Sequence, residues 1–265
     1  MANPRNYAKE LDKVIERLGE SGEGRRKVLL HSCCAPCSSY VMEYLREYFD
    51  LTVFYYNPNI TEAEEYRKRA EEQKRLIAEY NRQTDKGDFA GMHSSRSAGR
   101  IHILEGEYEP ERFYGLAKGL ETCPEGGERC FRCYRLRLEK TAEAAAELDF
   151  DYFTTTLTIS PLKNAQKLNE IGEELAGKYG VEFLPSDFKK KDGYKRSVEL
   201  SGQFGLYRQN YCGCVYSMAV SRHPARRHLV CGKQYKLVLH CENNSEFSTS
   251  TSLHTGTQRK IAGKG

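Results

Sequence analysis

Seven of the ten cysteines lie in three tight groups. The groups are Cys33-Cys34-x-x-Cys37, Cys130-x-x-Cys133 and Cys212-x-Cys214. Spacings of one or two residues let neighbouring thiolates converge on one metal centre. Core packing alone does not account for the grouping, because a buried cysteine packs as well alone as beside another. The pattern therefore predicts metal or redox chemistry.

Seven thiols exceed the four ligands that one tetrahedral zinc ion takes. Four of them suit a [4Fe–4S] cluster, and three suit a separate metal that keeps an open coordination position. Thiol–disulfide exchange at one of the two Cys-x-x-Cys pairs is the alternative. It leaves the Cys-x-Cys pair without a role, and we rank it second. Cys123, Cys231 and Cys241 stand outside the groups.

The elements that must position these groups alternate between strands and helices. We predict strands at 27–31, 51–56, 101–104, 152–157 and 181–184. We predict helices at 5–18, 39–49, 61–81, 111–120, 130–148, from 161 onward and at 197–204. This order predicts an α/β fold with three layers, a parallel sheet with helices on both faces. Ligands of such folds bind at the carboxyl edge of the sheet, so we place the cysteine site there.

Two of these helices begin at residues with local start signals. Thr61 and Glu64 have the spacing of a capping box, which predicts that Thr61 is the N-cap of its helix. Ser160 precedes Pro161, which predicts a serine N-cap with proline at the first helical position.

Composition divides the chain into three parts. Residues 1–26 predict a helix and a polar linker, residues 27–241 a single α/β catalytic domain, and residues 242–265, rich in Ser, Thr and Gly, a disordered tail. The net charge is +4, and residues 215–265 carry eight Lys and Arg against two acids. A basic segment fits an RNA partner, and solubility explains it about as well. With no signal peptide or long apolar run, we expect a cytoplasmic protein without a membrane partner.

Five blocks of the sequence resemble the QueH-type epoxyqueuosine reductases. In order they are HSCCAPCSSYVMEYL, PEGGERCFRCYRLRLEKTA, FTTTLTISPLKN, DFKKKDGYKRS and LYRQNYCGCVYS, within residues 27–217. The resemblance implies the cobalamin-independent last step of queuosine biosynthesis, reduction of epoxyqueuosine to queuosine at the wobble position of tRNA. It also implies a [4Fe–4S] cluster and an adjacent mononuclear metal, iron or zinc. The implied ligands are the seven grouped cysteines, Cys33, Cys34, Cys37, Cys130, Cys133, Cys212 and Cys214.

One departure from the family pattern concerns Cys37. Some relatives carry Asp at this position, beside six motif cysteines, which supports Cys37 as a metal ligand. Which of the seven cysteines serve the cluster and which serve the second metal stays open at this point.

The implied reaction needs two electrons and two protons, and it releases the epoxide oxygen as water. Our hypothesis is that the cluster passes electrons from an external electron donor, while the second metal binds the epoxide oxygen as a Lewis acid. Tyr134, Tyr211 and Asp187 are the candidate proton donors near the cysteines. Each has a structural alternative: Tyr134 suits helix packing, and Asp187 suits a cap before Lys189.

The implied substrate hangs from an anticodon loop, where phosphates attract basic side chains. We predict that Lys189, Lys195 and Arg208 contact the tRNA, and that Thr156 and Ser160 offer hydroxyls to a phosphate or ribose. Lysine runs are as often solvated surface, and Ser160 also fits its helix-capping role.

Three competing functions differ in class. An ATP-dependent tRNA-modifying enzyme is disfavoured, because CCAPC replaces a Gly-rich pyrophosphate loop after the first strand. A zinc-stabilised RNA-binding module and a thiol–disulfide oxidoreductase remain as alternatives. A brown, iron-containing protein would exclude the zinc module, and turnover of thiol substrates without iron would indicate the oxidoreductase.

Overall fold

The computed structural model describes residues 5–21, 24–92 and 98–222. Its core is one sheet of five parallel strands in the order β3-β2-β1-β4-β5. The strands are β1 Lys27–His31, β2 Asp50–Tyr55, β3 Ile101–Glu105, β4 Tyr152–Thr155 and β5 Glu182–Phe183. Four consecutive residues of β1 are buried, as expected for a central parallel strand covered on both faces.

Eight helices among the described residues cover the sheet. They are α1 Tyr7–Ser21, α2 Ala35–Leu45, α3 Ala63–Lys86, α4 Pro110–Ala117, α5 Glu128–Glu147, α6 Ala165–Tyr179, α7 Gly193–Gln203 and α8 Val215–Arg222. Helices α1, α2, α3 and α7 pack on the face that carries Val28 and Leu30. Helices α5 and α6 pack on the opposite face, with Leu29 and Phe153. The three-layer α/β fold is therefore confirmed.

The strand order reverses beside β1, because β2 and β3 lie on one side of it and β4 and β5 on the other. His31 at the end of β1 is in register with Thr155 at the end of β4. In a parallel sheet such a reversal opens a crevice beyond the carboxyl ends of the two central strands. The first cysteine group and the segment after β4 therefore meet at the same edge.

Four predicted helix starts are wrong, and one of them is that of α7, which begins at Gly193 rather than at 197. Helix α2 begins at Ala35, inside the cysteine motif, because Pro36 is favourable in a first turn. Helix α3 has Glu62 as its N-cap without a side-chain cap bond, so the capping box does not form. The Thr61 hydroxyl instead lies buried without a hydrogen-bond partner among the described residues.

The fourth correction concerns the segment after β4. Thr156–Ile159 forms a 3₁₀ helix, and α6 begins only at Ala165. Its N-cap is Asn164, whose side-chain oxygen accepts a hydrogen bond from the Lys167 N–H at 3.0 Å. Ser160 is thus no helix cap. Its hydroxyl accepts a hydrogen bond from the Leu162 N–H within the preceding turn.

The N-terminal helix α1 packs on the sheet domain through the buried Leu11. The domain limits after residues 26 and 241 stay predictions. The tail at 242–265 lies outside the described residues, as do Cys231 and Cys241. Among the helices that are described, none combines the length and apolar character that crossing a bilayer requires.

Candidate metal centre

The first cysteine group lies between β1 and α2. The sulfur atoms of Cys33, Cys34 and Cys37 all lie within 4.8 Å of one another, and those of Cys33 and Cys34 are 3.9 Å apart. Cys34 is the N-cap of α2, and Cys37 follows within the first turn. The group is thus shaped by a strand end and a helix start, which point three thiols to one place.

Protonation within this group is uneven. Hydrogen bonds with Cys34 and Cys37 hold the pKa of Cys33 well below its ordinary range. Hydrogen bonds with Cys33 and Cys34 raise the pKa of Cys37, and the bond with Cys33 raises the pKa of Cys34 to about 12. Cys33 is therefore the cysteine of the group that loses its proton most readily. It is also anchored to the segment after β4, since its N–H donates to the Thr156 hydroxyl at 3.2 Å and that hydroxyl lies 3.5 Å from its sulfur.

The second group occupies the first two turns of α5, where Cys130 and Cys133 share one helix face. The Gly126 N–H donates to the Cys130 sulfur at 3.3 Å. Burial raises the pKa of both thiols, that of Cys133 to about 11. Without a metal both cysteines would therefore be protonated at neutral pH.

The third group is the turn before α8. The sulfur atoms of Cys212 and Cys214 are 3.5 Å apart. The Ser217 hydroxyl lies 3.1 Å from the Cys212 sulfur, and the Ser217 N–H donates to the Cys214 sulfur at 3.3 Å. The hydrogen bond between the two cysteines holds the pKa of Cys212 well below its ordinary range and raises the pKa of Cys214. In this group one cysteine therefore loses its proton more readily than its neighbour.

The second and third groups line one cavity. Its walls are formed by Asn59, Phe113, Glu125, Arg129, Cys130, Cys133, Tyr134, Arg137, Lys163, Cys212 and Cys214. The two thiols of α5 and the two thiols of the turn before α8 therefore line the same cavity. Since Cys133 and Cys214 also pack together in one buried cluster, the two groups are neighbours in the fold.

Lys163 connects this cavity with the first group. Burial lowers its pKa, but electrostatic interaction with Cys212, and to a smaller extent with Tyr134, Cys33 and Cys37, outweighs burial and raises the pKa overall. The half-buried ammonium therefore stays protonated at neutral pH. It makes no hydrogen bond or ion pair within the described part of the chain. Lys163 is thus a cation without a side-chain partner among the described residues, and its pKa is raised by cysteines of two groups.

Beneath the cavity, Arg137 fixes the ends of the central strands. Its Nε donates to His31 Nε2 at 3.2 Å, and its Nη2 donates to the Asn57 side-chain oxygen at 2.6 Å. His31 Nδ1 shares a hydrogen bond of 2.9 Å with the Thr155 hydroxyl. Burial and the Arg137 charge lower the pKa of His31 to about 3, so His31 is neutral. This network aligns α5 with the strand ends that carry Cys33.

The structure brings some of the predicted site residues to the cavity and leaves others elsewhere. Tyr134 lines it, while Tyr211 stacks against Arg69, with 5.0 Å between the guanidinium carbon and the ring centre. Asp187 pairs with Lys189 at 2.5 Å and lines a separate pocket with α1 and α2. Thr156 lies beside Cys33, as described above.

The other predicted substrate contacts are on the surface or in turns. Lys195 is exposed on α7. Arg208 is exposed, and its guanidinium donates to the Ser201 hydroxyl at 3.0 Å. Ser160 is half-buried in the turn before α6. Their roles toward a substrate stay predictions.

Sequence reasoning missed Lys163 and Arg137. Arg137 follows Cys130 and Cys133 at the spacing of one helix face, a signal that was available. Lys163 stands alone in a turn, where no spacing marks it. Both are identified by their position in the lining of the cavity.

The seven grouped cysteines fit a metal centre. Thiolates are the ligands of iron–sulfur clusters and of structural zinc, and each group offers its sulfur atoms from a rigid start of a helix or turn. No disulfide joins the eight cysteines within the described ranges. The arrangement can therefore hold a metal with sulfur ligands.

Comparison with known proteins gives a consistent result. Residues 28–220 match the family model described as "Epoxyqueuosine reductase QueH". The chain is 44% identical over 214 residues to the epoxyqueuosine reductase QueH of Staphylococcus epidermidis, covering 80% of this chain and 84% of the relative. It is 42% identical over 218 residues to that of Streptococcus pyogenes, covering 81% and 80%. It is 37% identical over 198 residues to that of Thermotoga maritima, covering 74% and 92%.

Proposed function

This chain belongs to the epoxyqueuosine reductase QueH family, and we propose that its cysteine site carries out the family's reaction on tRNA. It is an oxidoreductase of queuosine biosynthesis that reduces epoxyqueuosine. The proposal adds the wobble position of the anticodon loop as the place of reaction, a cytoplasmic location and an external electron donor.

The observation that carries the proposal is the meeting of thiols from distant parts of the chain. Cys130 and Cys133 line one cavity with Cys212 and Cys214. Lys163 in the same cavity is influenced by Cys33 as well. Such convergence supports two sulfur-bound centres, a [4Fe–4S] cluster and a mononuclear iron or zinc, with the seven grouped cysteines as ligands.

When bound, a cluster supplies single electrons and a metal with an open position polarises an oxygen atom. The chain's own residues then handle protons and orientation. We assign to Lys163 Nζ a hydrogen bond to the epoxide oxygen, because its ammonium faces the cavity and has no partner in the described residues. The Tyr134 hydroxyl is the second candidate, since it lines the same cavity.

Outside the cavity, the proposed substrate contacts are assigned from the charge and exposure of the side chains. Lys195 and Arg208 are exposed and suited to tRNA phosphates. Lys189 is half-buried against Asp187, so it would contact a phosphate only by leaving this ion pair. Asp187 and Tyr211 remain predicted proton donors, and neither lines the cavity with Lys163.

A complementation experiment tests the function in cells. A bacterial strain without its own epoxyqueuosine reductase accumulates epoxyqueuosine in tRNA, and expression of this chain should restore queuosine in the tRNA digest. A variant with Cys133→Ser serves as the control that should fail. Unchanged epoxyqueuosine with well-expressed, iron-loaded protein would contradict the proposal. A zinc-stabilised RNA-binding module or a thiol–disulfide oxidoreductase would also leave epoxyqueuosine unchanged.

A further inference from the structure

The turn that carries the third cysteine group is held by the connection between β2 and α3. The carbonyl of Cys212 accepts hydrogen bonds from Asn59 Nδ2 at 3.2 Å and from Arg69 Nη1 at 3.3 Å. The Thr61 N–H donates to the Gly213 carbonyl at 3.3 Å. The turn therefore has a fixed backbone position before any metal is considered.

Gly213 is required for this docking. Its φ is +114°, a conformation that side-chain-bearing residues rarely adopt. A Cβ atom there would lie 2.7 Å from Ile60 Cγ1. The close approach lets Arg69 reach the turn from the interior of the protein, where only 2% of its surface is exposed.

Two buried donors next to this turn have no hydrogen-bond acceptor in the described structure. They are the hydroxyl of Tyr55, a residue with no exposed surface, and Nη2 of Arg69. The Arg69 Nε already donates to Glu65, and Nη2 lies 2.7 Å from the same oxygen without making a hydrogen bond. An unsatisfied buried donor is destabilising, so native proteins normally give it a partner.

Both donors lie beside the segment of the first cysteine group. Phe54, the residue before Tyr55, accepts a hydrogen bond from the Ser32 N–H at 2.9 Å. Gln73, one turn after Arg69 on α3, accepts hydrogen bonds from the hydroxyls of Ser32 and Ser38 at 2.8 Å. These two serines bracket the segment in which Cys34 is buried as the N-cap of α2. Burial raises the pKa of Tyr55 and lowers that of Arg69, and Cys34 acts to raise both. The two unused donors therefore lie next to a segment of proposed metal ligands.

The packing of Tyr55 keeps its hydroxyl in place. Its ring contacts that of Tyr66, with 5.4 Å between the ring centres, in a buried cluster with Ile60 and Ala70. A close-packed ring at the end of a central strand cannot turn its hydroxyl toward solvent. The missing acceptor must therefore come to Tyr55.

We propose that Tyr55 and Arg69 are positioning residues that donate hydrogen bonds from the protein interior to sulfur atoms of the metal centre held by Cys34. Arg69 also ties that centre to the turn of Cys212. The inference rests on the proposed function, because it requires a sulfur-bound metal centre. Hydrogen bonds to the sulfur atoms stabilise the more negative, reduced state and so raise the reduction potential of an iron–sulfur cluster.

The experiment measures the reduction potential of the cluster in the anaerobically prepared holoenzyme. Tyr55→Phe removes one hydroxyl and keeps the ring, so the variant should hold wild-type iron at a lower midpoint potential in an EPR-monitored titration. Arg69→Lys should lower the potential and reduce the iron content. The matched controls are Tyr66→Phe, whose hydroxyl makes a long bond to the Gly106 carbonyl, and Arg67→Lys on the exposed face of α3.

The outcomes separate this inference from the function itself. A Tyr55→Phe enzyme with full iron and an unchanged potential would overturn the inference and leave the proposed function standing. A lower midpoint potential in Tyr55→Phe at full iron content, with the wild-type potential in Tyr66→Phe, would support the hydrogen bond. A wild-type protein that binds only zinc and has no cluster would overturn both.

Discussion

The hydroxyl of Thr156 lies 3.5 Å from the sulfur of Cys33 and accepts a hydrogen bond from the Cys33 N–H at 3.2 Å. The two residues are 123 positions apart in the chain. They follow β1 and β4, the adjacent strands between which the sheet order reverses. This contact holds Cys33 beside the crevice in which α/β folds bind their ligands.

The first prediction concerns Thr156. Thr156→Val leaves the Cys33 N–H without an acceptor in a buried place, so we expect iron affinity to fall about 10-fold or more, as for other residues that support metal ligands. Thr156→Ser keeps the hydroxyl and should restore the affinity. Competition with an iron chelator measures the effect. Equal affinity in the Val variant and the wild type would show that the contact does not support the ligand.

This contact also shows where sequence reasoning succeeds and where it ends. The strands were predictable because each is a short apolar run, and their alternation with helices predicts parallel pairing. The position of the first cysteine group at the carboxyl edge followed from that topology. The pairing of Cys33 with Thr156 did not, because no local pattern specifies which side chain of one crossover meets which of another.

The errors at helix starts have a local cause. Thr61 and Ser160 have the chemistry of N-caps, but the chain uses Glu62 and Asn164. At Thr61 a tertiary contact is the reason, because its N–H donates to the Gly213 carbonyl. At Ser160 the reason is local, because a 3₁₀ helix precedes it and α6 begins further along the chain. The burial of Arg69 could not be predicted from the sequence for another reason. It is one charged residue among many on α3, and only the docking of the turn at Gly213 shows that it is buried.

The second prediction concerns Cys37. Cys37→Ser should lose bound metal and activity, since a serine hydroxyl is a poor replacement for a thiolate ligand. Cys123→Ser is the matched control and should keep both, because Cys123 lies outside the three groups. Metal analysis by mass spectrometry and the visible spectrum check the result. Retained metal and normal turnover in Cys37→Ser would remove Cys37 from the ligand set.

The third prediction concerns Lys163. Lys163→Met removes the cation that faces the cavity, and we expect kcat/KM to fall by about 10²–10⁴, the usual range for loss of a positioned proton donor. The iron content should be unchanged. Lys167→Met is the control, because Lys167 is paired with Glu170 on α6. Wild-type kinetics in Lys163→Met would exclude a role for this ammonium in the reaction.

The fourth prediction concerns pH and His31. The pKa of His31 is about 3 in the folded protein, against its ordinary value of 6.5, so the unfolded chain binds the proton more readily. The contribution of neutral His31 to the free energy of unfolding is complete above pH 6.5 and is lost as the pH falls toward 3. For metal-free protein we expect this residue to reduce the free energy of unfolding by roughly 3 kcal/mol between pH 6.5 and 4, at about 1.36 kcal/mol per unit.

Urea unfolding across this pH range measures the slope, with His31→Gln as the comparison. The variant has no titrating ring, so its stability should depend less on pH over the same interval. Identical slopes for the two proteins would mean that His31 is not held neutral by Arg137 and burial.

The most direct test of the central claim uses purified protein, reconstituted anaerobically with iron and sulfide, and tRNA that contains epoxyqueuosine. With a chemical reductant, nucleoside mass spectrometry should show conversion to queuosine that depends on the reductant and is absent in Cys133→Ser. Free epoxyqueuosine nucleoside, assayed in parallel, should react more slowly, because it lacks the phosphates that basic side chains contact. Full cluster occupancy without any queuosine from the tRNA would contradict the account.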